Sequence, residues 1–159
     1  AFLEGGYDFA PFESSADGDG NDPDPTDHNP ISGSHGTHVA TTITALNDGN
    51  NINGFGVHVV PLNVFGNSGG AYVSDTIAAM LYAAGLSNES GTTYTGSVPI
   101  RVVNLSLGST GGGCGSSYRN SIQDVTDAGI TVVSSSGNEA VEAPGAFGYP
   151  ASCENDPSK

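Results

Sequence analysis

Basic residues are nearly missing from this chain. Only 3 Lys+Arg stand against 17 Asp+Glu, a formal net charge of −14 over 159 residues. So few cations cannot build the phosphate-neutralising surface that nucleic-acid binding needs, which excludes nucleic acid as a partner. An anionic membrane surface repels the chain for the same reason. Long apolar runs are missing too. A membrane-spanning helix takes about 20 apolar residues; the longest run, residues 77–86, is about half that and contains Gly85. No signal peptide opens the chain, so the sequence reads as mature, cytosolic or truncated. Tryptophan is absent, and cysteine is reduced to Cys114 and Cys153. Two cysteines so far apart do not resemble a zinc site. In a secreted chain such a pair forms a disulfide, and in the cytosol it is two buried thiols. If bonded, it closes a loop of about 40 residues, worth roughly 4 kcal/mol in the chain-entropy model.

What is present is acid, glycine and one domain's length of chain. Eight of the 17 carboxylates lie in the first 27 residues. The stretch 13–33 has few large apolar residues and many Gly, Pro and Ser, so it is expected to be a loop held by something other than a core. Acidity, glycine and scarce lysine suit a secreted protein.

Beyond Ser34 the pattern becomes regular. Val39, Ile43 and Leu46 recur at helical spacing over residues 37–46, with Ser32 or Ser34 as candidate caps. Residues 57–65 are rich in β-branched side chains. Residues 74–86 read as a helix, with Ser74 as N-cap and Gly85 as stop. Residues 100–107 form a continuous apolar β-run, residues 118–128 a helix ending at Gly129, and residues 130–133 a further strand. Strands alternating with helices predict an α/β fold, a parallel β-sheet flanked by helices and covered on both faces.

Three segments carry chemistry. In Ser34-His35-Gly36-Thr37-His38-Val39-Ala40, His35 falls at a helix N-terminus. The helix dipole there disfavours the imidazolium and keeps a neutral base available. The plainer readings are a structural histidine or a metal pair with His38 one turn on. In Asn104-Leu105-Ser106-Leu107-Gly108-Ser109 a strand runs into a Gly-rich loop, at the end where open α/β sheets bind ligands. The plainer reading is a core strand and a turn. In Ser134-Ser135-Ser136-Gly137-Asn138-Glu139 small side chains leave room for a pocket, and Asn138 offers an amide donor to a developing oxyanion. Alone, Gly-Asn is a turn.

Together and in this order, these segments resemble the subtilisin-like serine peptidases, the subtilases. His35-Gly36-Thr37-His38 is similar to that family's catalytic-histidine motif. Asn104-Leu105-Ser106-Leu107-Gly108 is similar to its substrate-aligning strand, and Ser136-Gly137-Asn138-Glu139 to its oxyanion-asparagine motif. Gly6-Tyr7-Asp8-Phe9, the Asp-Gly-Asp-Gly run through Asp27, Tyr82-Ala83-Ala84-Gly85 and Pro150-Ala151-Ser152-Cys153 resemble a secreted bacterial branch. The resemblance implies the following. His35 is the general base and then acid, and Asn138 the oxyanion donor. Ser106, Leu107 and Gly108 pair with the substrate main chain. Ser135, Ser136 and Gly137 wall the specificity pocket, and Gly69, Gly70 and Tyr72 form a second substrate edge. Cys114 pairs with Cys153, and the protein is extracellular.

The departures are equally specific. Neither the family's Gly-Thr-Ser-Met-Ala nucleophile motif nor its Asp-Thr/Ser-Gly motif occurs in the sequence, and Asp8 lies past the place for the latter. The chain therefore resembles the central segment of a peptidase domain, spanning 1–159. It is expected to be inactive alone, the rest of the domain with its Asp and Ser being cleaved off, outside this sequence, or supplied by a companion chain. The alternatives are an inactive peptide-binding relic and a calcium-dependent structural module.

The run Asp17-Gly18-Asp19-Gly20-Asn21 sets oxygen ligands at alternate positions but lacks the Gly and Glu of an EF-hand. Carboxylates crowded into a coreless loop repel unless a hard cation sits among them. Calcium is the expected cofactor, with Asp17, Asp19, Asn21, Asp22, Asp24 and Asp27 as candidate ligands. The plain alternative is a solvated acidic loop. The sequons at Asn88 and Asn104 read as chance.

Overall fold

The computed structural model describes residues 2–3, 5–11, 17–26, 28, 34–46, 49, 54–109, 113–138 and 148–153. Its elements follow in the order β1 (Phe2–Leu3), β2 (Tyr7–Asp8), α1 (His35–Thr44), β3 (His58–Val59), β4 (Leu62–Asn63), α2 (Val73–Ala83), β5 (Val102–Leu105), α3 (Ser116–Asp127) and β6 (Thr131–Ser134). Every strand pair is parallel: β1 with β3, β2 with β4, and β5 with β6. The expected α/β architecture, parallel strands with helices against them, is what the chain adopts.

Local chemistry explains where the elements depart from the sequence reading. The β-branched stretch 57–65 is two short strands, not one. Pro61 stands between them; it has no N–H to donate, and its carbonyl instead accepts Tyr7 N–H at 3.2 Å. Ser34, one of the two expected caps, occupies the N-cap of α1 with a left-handed φ of 64°, though its side chain caps nothing. The start of α2 differs. The N-cap of α2 is Tyr72; Ser74 lies inside the helix, its hydroxyl bonded to Asp75 at 3.0 Å. Leu46 lies beyond the end of α1 and is 73% exposed.

The helix stops match expectation. Gly85 has φ 71° and Gly129 φ 84°, a backbone that a side chain disfavours. Gly85 N–H donates to Tyr82 O and Leu86 N–H to Leu81 O. Gly129 N–H donates to Thr126 O and Ile130 N–H to Val125 O. Each glycine thereby closes a Schellman motif that satisfies the last carbonyls of its helix.

Helix α2 sits between two cores. Ala78, Ala79 and Tyr82 pack with Phe9 and Val64 behind β2 and β4. Met80 packs with Leu105, Tyr118, Val125 and Ile130 against β5 and β6. Small alanines let one helix serve both sides. The register Val102↔Thr131, Val103↔Val132, Asn104↔Val133 and Leu105↔Ser134 turns Val103, Leu105 and Val132 towards this second core. The opposite face carries Val102, 55% exposed, and Val133, 47% exposed. The expected cover on both faces is therefore absent from β5–β6 among the described residues. Cys114 and Cys153 form a disulfide, with 5.1 Å between their Cα atoms, tying the start of α3 to the turn at 149–152.

Candidate functional site

Because β5 and β6 are parallel and in register, their carboxyl ends emerge side by side. Residues 106–108 continue β5, and residues 135–138 continue β6. Ser135 joins the two extensions twice. Its N–H donates to Leu105 O at 3.1 Å and its hydroxyl to Leu107 O at 3.2 Å. The Asn104 amide holds the Ser106 hydroxyl at 2.9 Å. Gly108 runs close to the turn at 149–152: a Cβ there would lie 3.1 Å from Tyr149 O. Ser109 N–H donates to that same oxygen at 3.0 Å.

His35 meets this strand extension from a distant part of the chain. It is the first residue of α1 and is exposed, and its Nε2 lies 2.8 Å from Ser106 O. Its ring and the Phe65 ring meet edge to face at a centroid distance of 5.8 Å. Phe65 begins a tight hairpin: it bridges Ala71, and Gly66 and Gly70 share a 2.9 Å backbone bond. Gly69 turns with φ 78°, and Tyr72 stands exposed at the hairpin's exit. Sequence reasoning missed Phe65, which lay within an apolar run like any core residue. Its place directly before Gly66-Asn67-Ser68-Gly69-Gly70 was the available signal.

The structure thus brings His35 to Ser106, and Ser135 to Leu107. Ser136, Gly137 and Asn138 continue exposed beyond β6, with Gly137 turning the chain at φ 95°. Gly69, Gly70 and Tyr72 belong to the hairpin whose first residue, Phe65, meets the histidine ring.

The acidic loop is anchored to β2 by a two-way backbone bridge. Asp8 N–H donates to Asp22 O at 2.8 Å, and Asp22 N–H to Asp8 O at 3.2 Å. Asp17, Asp19 and Asp22 place carboxylate oxygens within 4.8 Å of one another. One ion at calcium–oxygen distances of about 2.3–2.6 Å nearly reaches all three. A hydrogen bond with Asp17 and its charge raise the pKa of Asp19. Asp24 turns to Thr26, whose hydroxyl and N–H hold its carboxyl below the usual range. Asn21 is exposed in the same loop, and Asp27 lies outside the described residues. Asp8, 1% exposed, is pushed up to about 6, chiefly by burial. Ala10 N–H, donating at 2.7 Å, opposes that rise, and the charges of Asp17 and Asp22 add to it. No helix among the described residues is long and apolar enough to cross a membrane.

Comparison with known proteins gives the family. The family profile described as "Subtilase family" matches residues 1–156. The "Extracellular protease" of Xanthomonas campestris pv. campestris is 36% identical over 98% of this chain and 29% of its own length. The "Extracellular basic protease" of Dichelobacter nodosus is 37% identical over 86% of this chain and 22% of its own. Among solved structures, a protease from Pseudoalteromonas arctica PAMC 21717 superposes with a TM-score of 0.70 at 32% identity. That match covers 86% of this chain and 44% of the solved one. The chain thus spans less than half the length of each of these relatives.

Proposed function

Since the chain belongs to the subtilase family, we propose that it is the histidine and oxyanion portion of a secreted, calcium-stabilised serine endopeptidase that cleaves peptide bonds through an acyl-enzyme. The observation that carries this reading is the 2.8 Å contact of His35 Nε2 with Ser106 O, across 71 residues of sequence. It brings the histidine motif onto the substrate-strand motif.

In the proposed mechanism an extended peptide lies along residues 106–108 as an added strand. Residues 135–137 wall the pocket beside the scissile bond, and residues 69, 70 and 72 flank the peptide. His35 takes the proton of a serine hydroxyl and returns it to the leaving amine. Asn138 donates its amide to the tetrahedral oxyanion. Removing the equivalent donor in subtilisin costs about 10²–10³ in turnover, a figure that belongs to that enzyme. The nucleophilic serine and the orienting aspartate come from outside these 159 residues, either the rest of the same protein or a companion chain. Without them His35 has no hydroxyl to activate and no carboxylate to fix its tautomer.

Asp17, Asp19 and Asp22 would hold calcium, with Asn21, Asp24 and Asp27 in the same loop as further ligands. Bound calcium supplies positive charge that holds the carboxylates together. The loop 13–33 would then be a metal-ordered segment of a domain that includes residues 1–159. Extracellular location is supported by the names of the relatives and by the disulfide.

Fluorophosphonate labelling with a parallel peptide-hydrolysis assay tests the division of labour. The 159-residue chain is expected to take no label and to hydrolyse nothing. A labelled serine in this chain, with matching turnover, overturns the reading.

A further inference from the structure

The end of the β5 extension is met by the turn at 149–152. The bonds from Ser135 end at Leu107 O. Past that point Ser109 N–H donates to Tyr149 O at 3.0 Å. Two glycines make the approach close from either side. A Cβ on Gly108 would stand 3.1 Å from Tyr149 O, and a Cβ on Gly148 would run into Ser109 O. Neither segment can therefore shift far without moving the other.

The turn closes on itself through Ser152 N–H to Gly148 O at 3.1 Å and Cys153 N–H to Pro150 O at 2.9 Å. It is tied to α3 twice. The Tyr149 ring lies 5.6 Å from the Tyr118 ring, and Cys153 is bonded to Cys114 just before the helix. Arg119 of α3 donates to the Cys114 carbonyl at 3.4 Å, and Tyr118 and Val125 root the helix in the second core. A cross-link stabilises chiefly by restricting the unfolded chain, wherever in the fold it lies. This one ends in the turn that carries Tyr149 O.

We propose that the Cys114–Cys153 disulfide is a positioning element for the candidate site: by pinning the 149–152 turn to α3, it sets where Tyr149 O holds Ser109 and so where Gly108 offers its main chain. The proposal rests on reading residues 106–108 as the strand along which a substrate lies. The two cysteines act through the turn and touch no reacting atom.

One residue of slack separates position from loop closure. A glycine inserted between Ser152 and Cys153 keeps the disulfide and barely lengthens the closed loop, but lets the turn drift. Amide hydrogen exchange compares Ser109 with Ser135, whose N–H is held by Leu105 O. In the inserted chain the protection of Ser109 relative to Ser135 is expected to fall about tenfold or more. Cys114→Ser/Cys153→Ser removes the tether outright; it should lower the ratio at least as far, and it serves if the insertion does not fold. An unchanged ratio overturns the proposal, because packing of Tyr149 on Tyr118 then holds the turn by itself. Gly108→Ala gives a second reading. Its Cβ presses on a fixed turn in the unaltered chain and on a yielding one in the inserted chain, so it should lower the melting temperature less in the latter. Equal losses count against the tether. Titration with N-acetyl-tetra-alanine amide tests the strand reading separately. The peptide should shift the amides of residues 106–108 in the unaltered chain. It should bind the inserted chain about two- to tenfold more weakly, the worth of one displaced hydrogen bond. Equal affinity for both chains overturns the proposal and leaves the strand reading standing. Amides that respond in neither chain overturn the strand reading, and the disulfide then positions no site.

Discussion

Carboxylates set the response of single residues to pH and ions. The folded pKa of Asp8, about 6, lies above its ordinary 3.8. The fold therefore prefers the protonated acid. Its favourable contribution is complete below about pH 4 and is lost as pH rises through 6. A difference of this size corresponds to about 3 kcal/mol at 1.36 kcal/mol per pH unit. In chelator, the urea midpoint is expected to fall between pH 4 and 6.5, and Asp8→Asn to flatten that fall. Parallel curves for the two proteins would contradict the assignment. Asp19→Asn removes one of three crowded charges. Its melting temperature in chelator should rise, while calcium should bind about tenfold more weakly by calorimetry. The acidic loop was legible in the sequence because its composition alone crowds the charges. The bridge from Asp8 to Asp22 was not, because it depends on how β2 lies against a loop of its own chain.

Secondary-structure elements were legible at their ends more than at their beginnings. Gly85 and Gly129 stop helices because their backbones take positive φ, a property written in the residue type. Ser34 starts α1 at one of the two positions its residue type offered, though without a side-chain bond, whereas Tyr72 and Gly115 carry no capping signal that could locate the starts of α2 and α3. The division of residues 57–65 follows from Pro61, whose effect emerged only once two different strands competed for the stretch. Gly129→Ala is expected to lower unfolding free energy by about 1–2 kcal/mol, the cost of a left-handed non-glycine residue. Val125, 0% exposed within the second core, gives a larger effect. Val125→Ala should cost about 2–3 kcal/mol, since a buried side chain leaves a cavity. Urea denaturation measures both, and a smaller loss at Val125 than at Gly129 would mean that the second core is loosely packed.

For the whole molecule, the motifs gave the fold family but not the faces of the sheet. The parallel strands with helices between them follow from alternating apolar runs, whereas which strands pair and in what register does not. The exposure of Val102 and Val133 does not, because periodicity records that a residue is apolar and not what stands opposite it. The disulfide binds this half of the molecule across 39 residues. Its removal in a Cys114→Ser/Cys153→Ser double variant should cost about 4 kcal/mol by loop-closure entropy. Chemical denaturation of the variant beside the oxidised chain measures that loss, and equal midpoints would show that packing alone closes the loop. The same bond has a consequence for handling a chain from a family that cuts peptides. The closed loop contains all of α3 and β6. A single nick between residues 115 and 152 leaves both pieces covalently joined, so a clipped sample migrates as one band on a gel run without reductant. Only a reduced lane, or the extra mass of one water, reveals that damage.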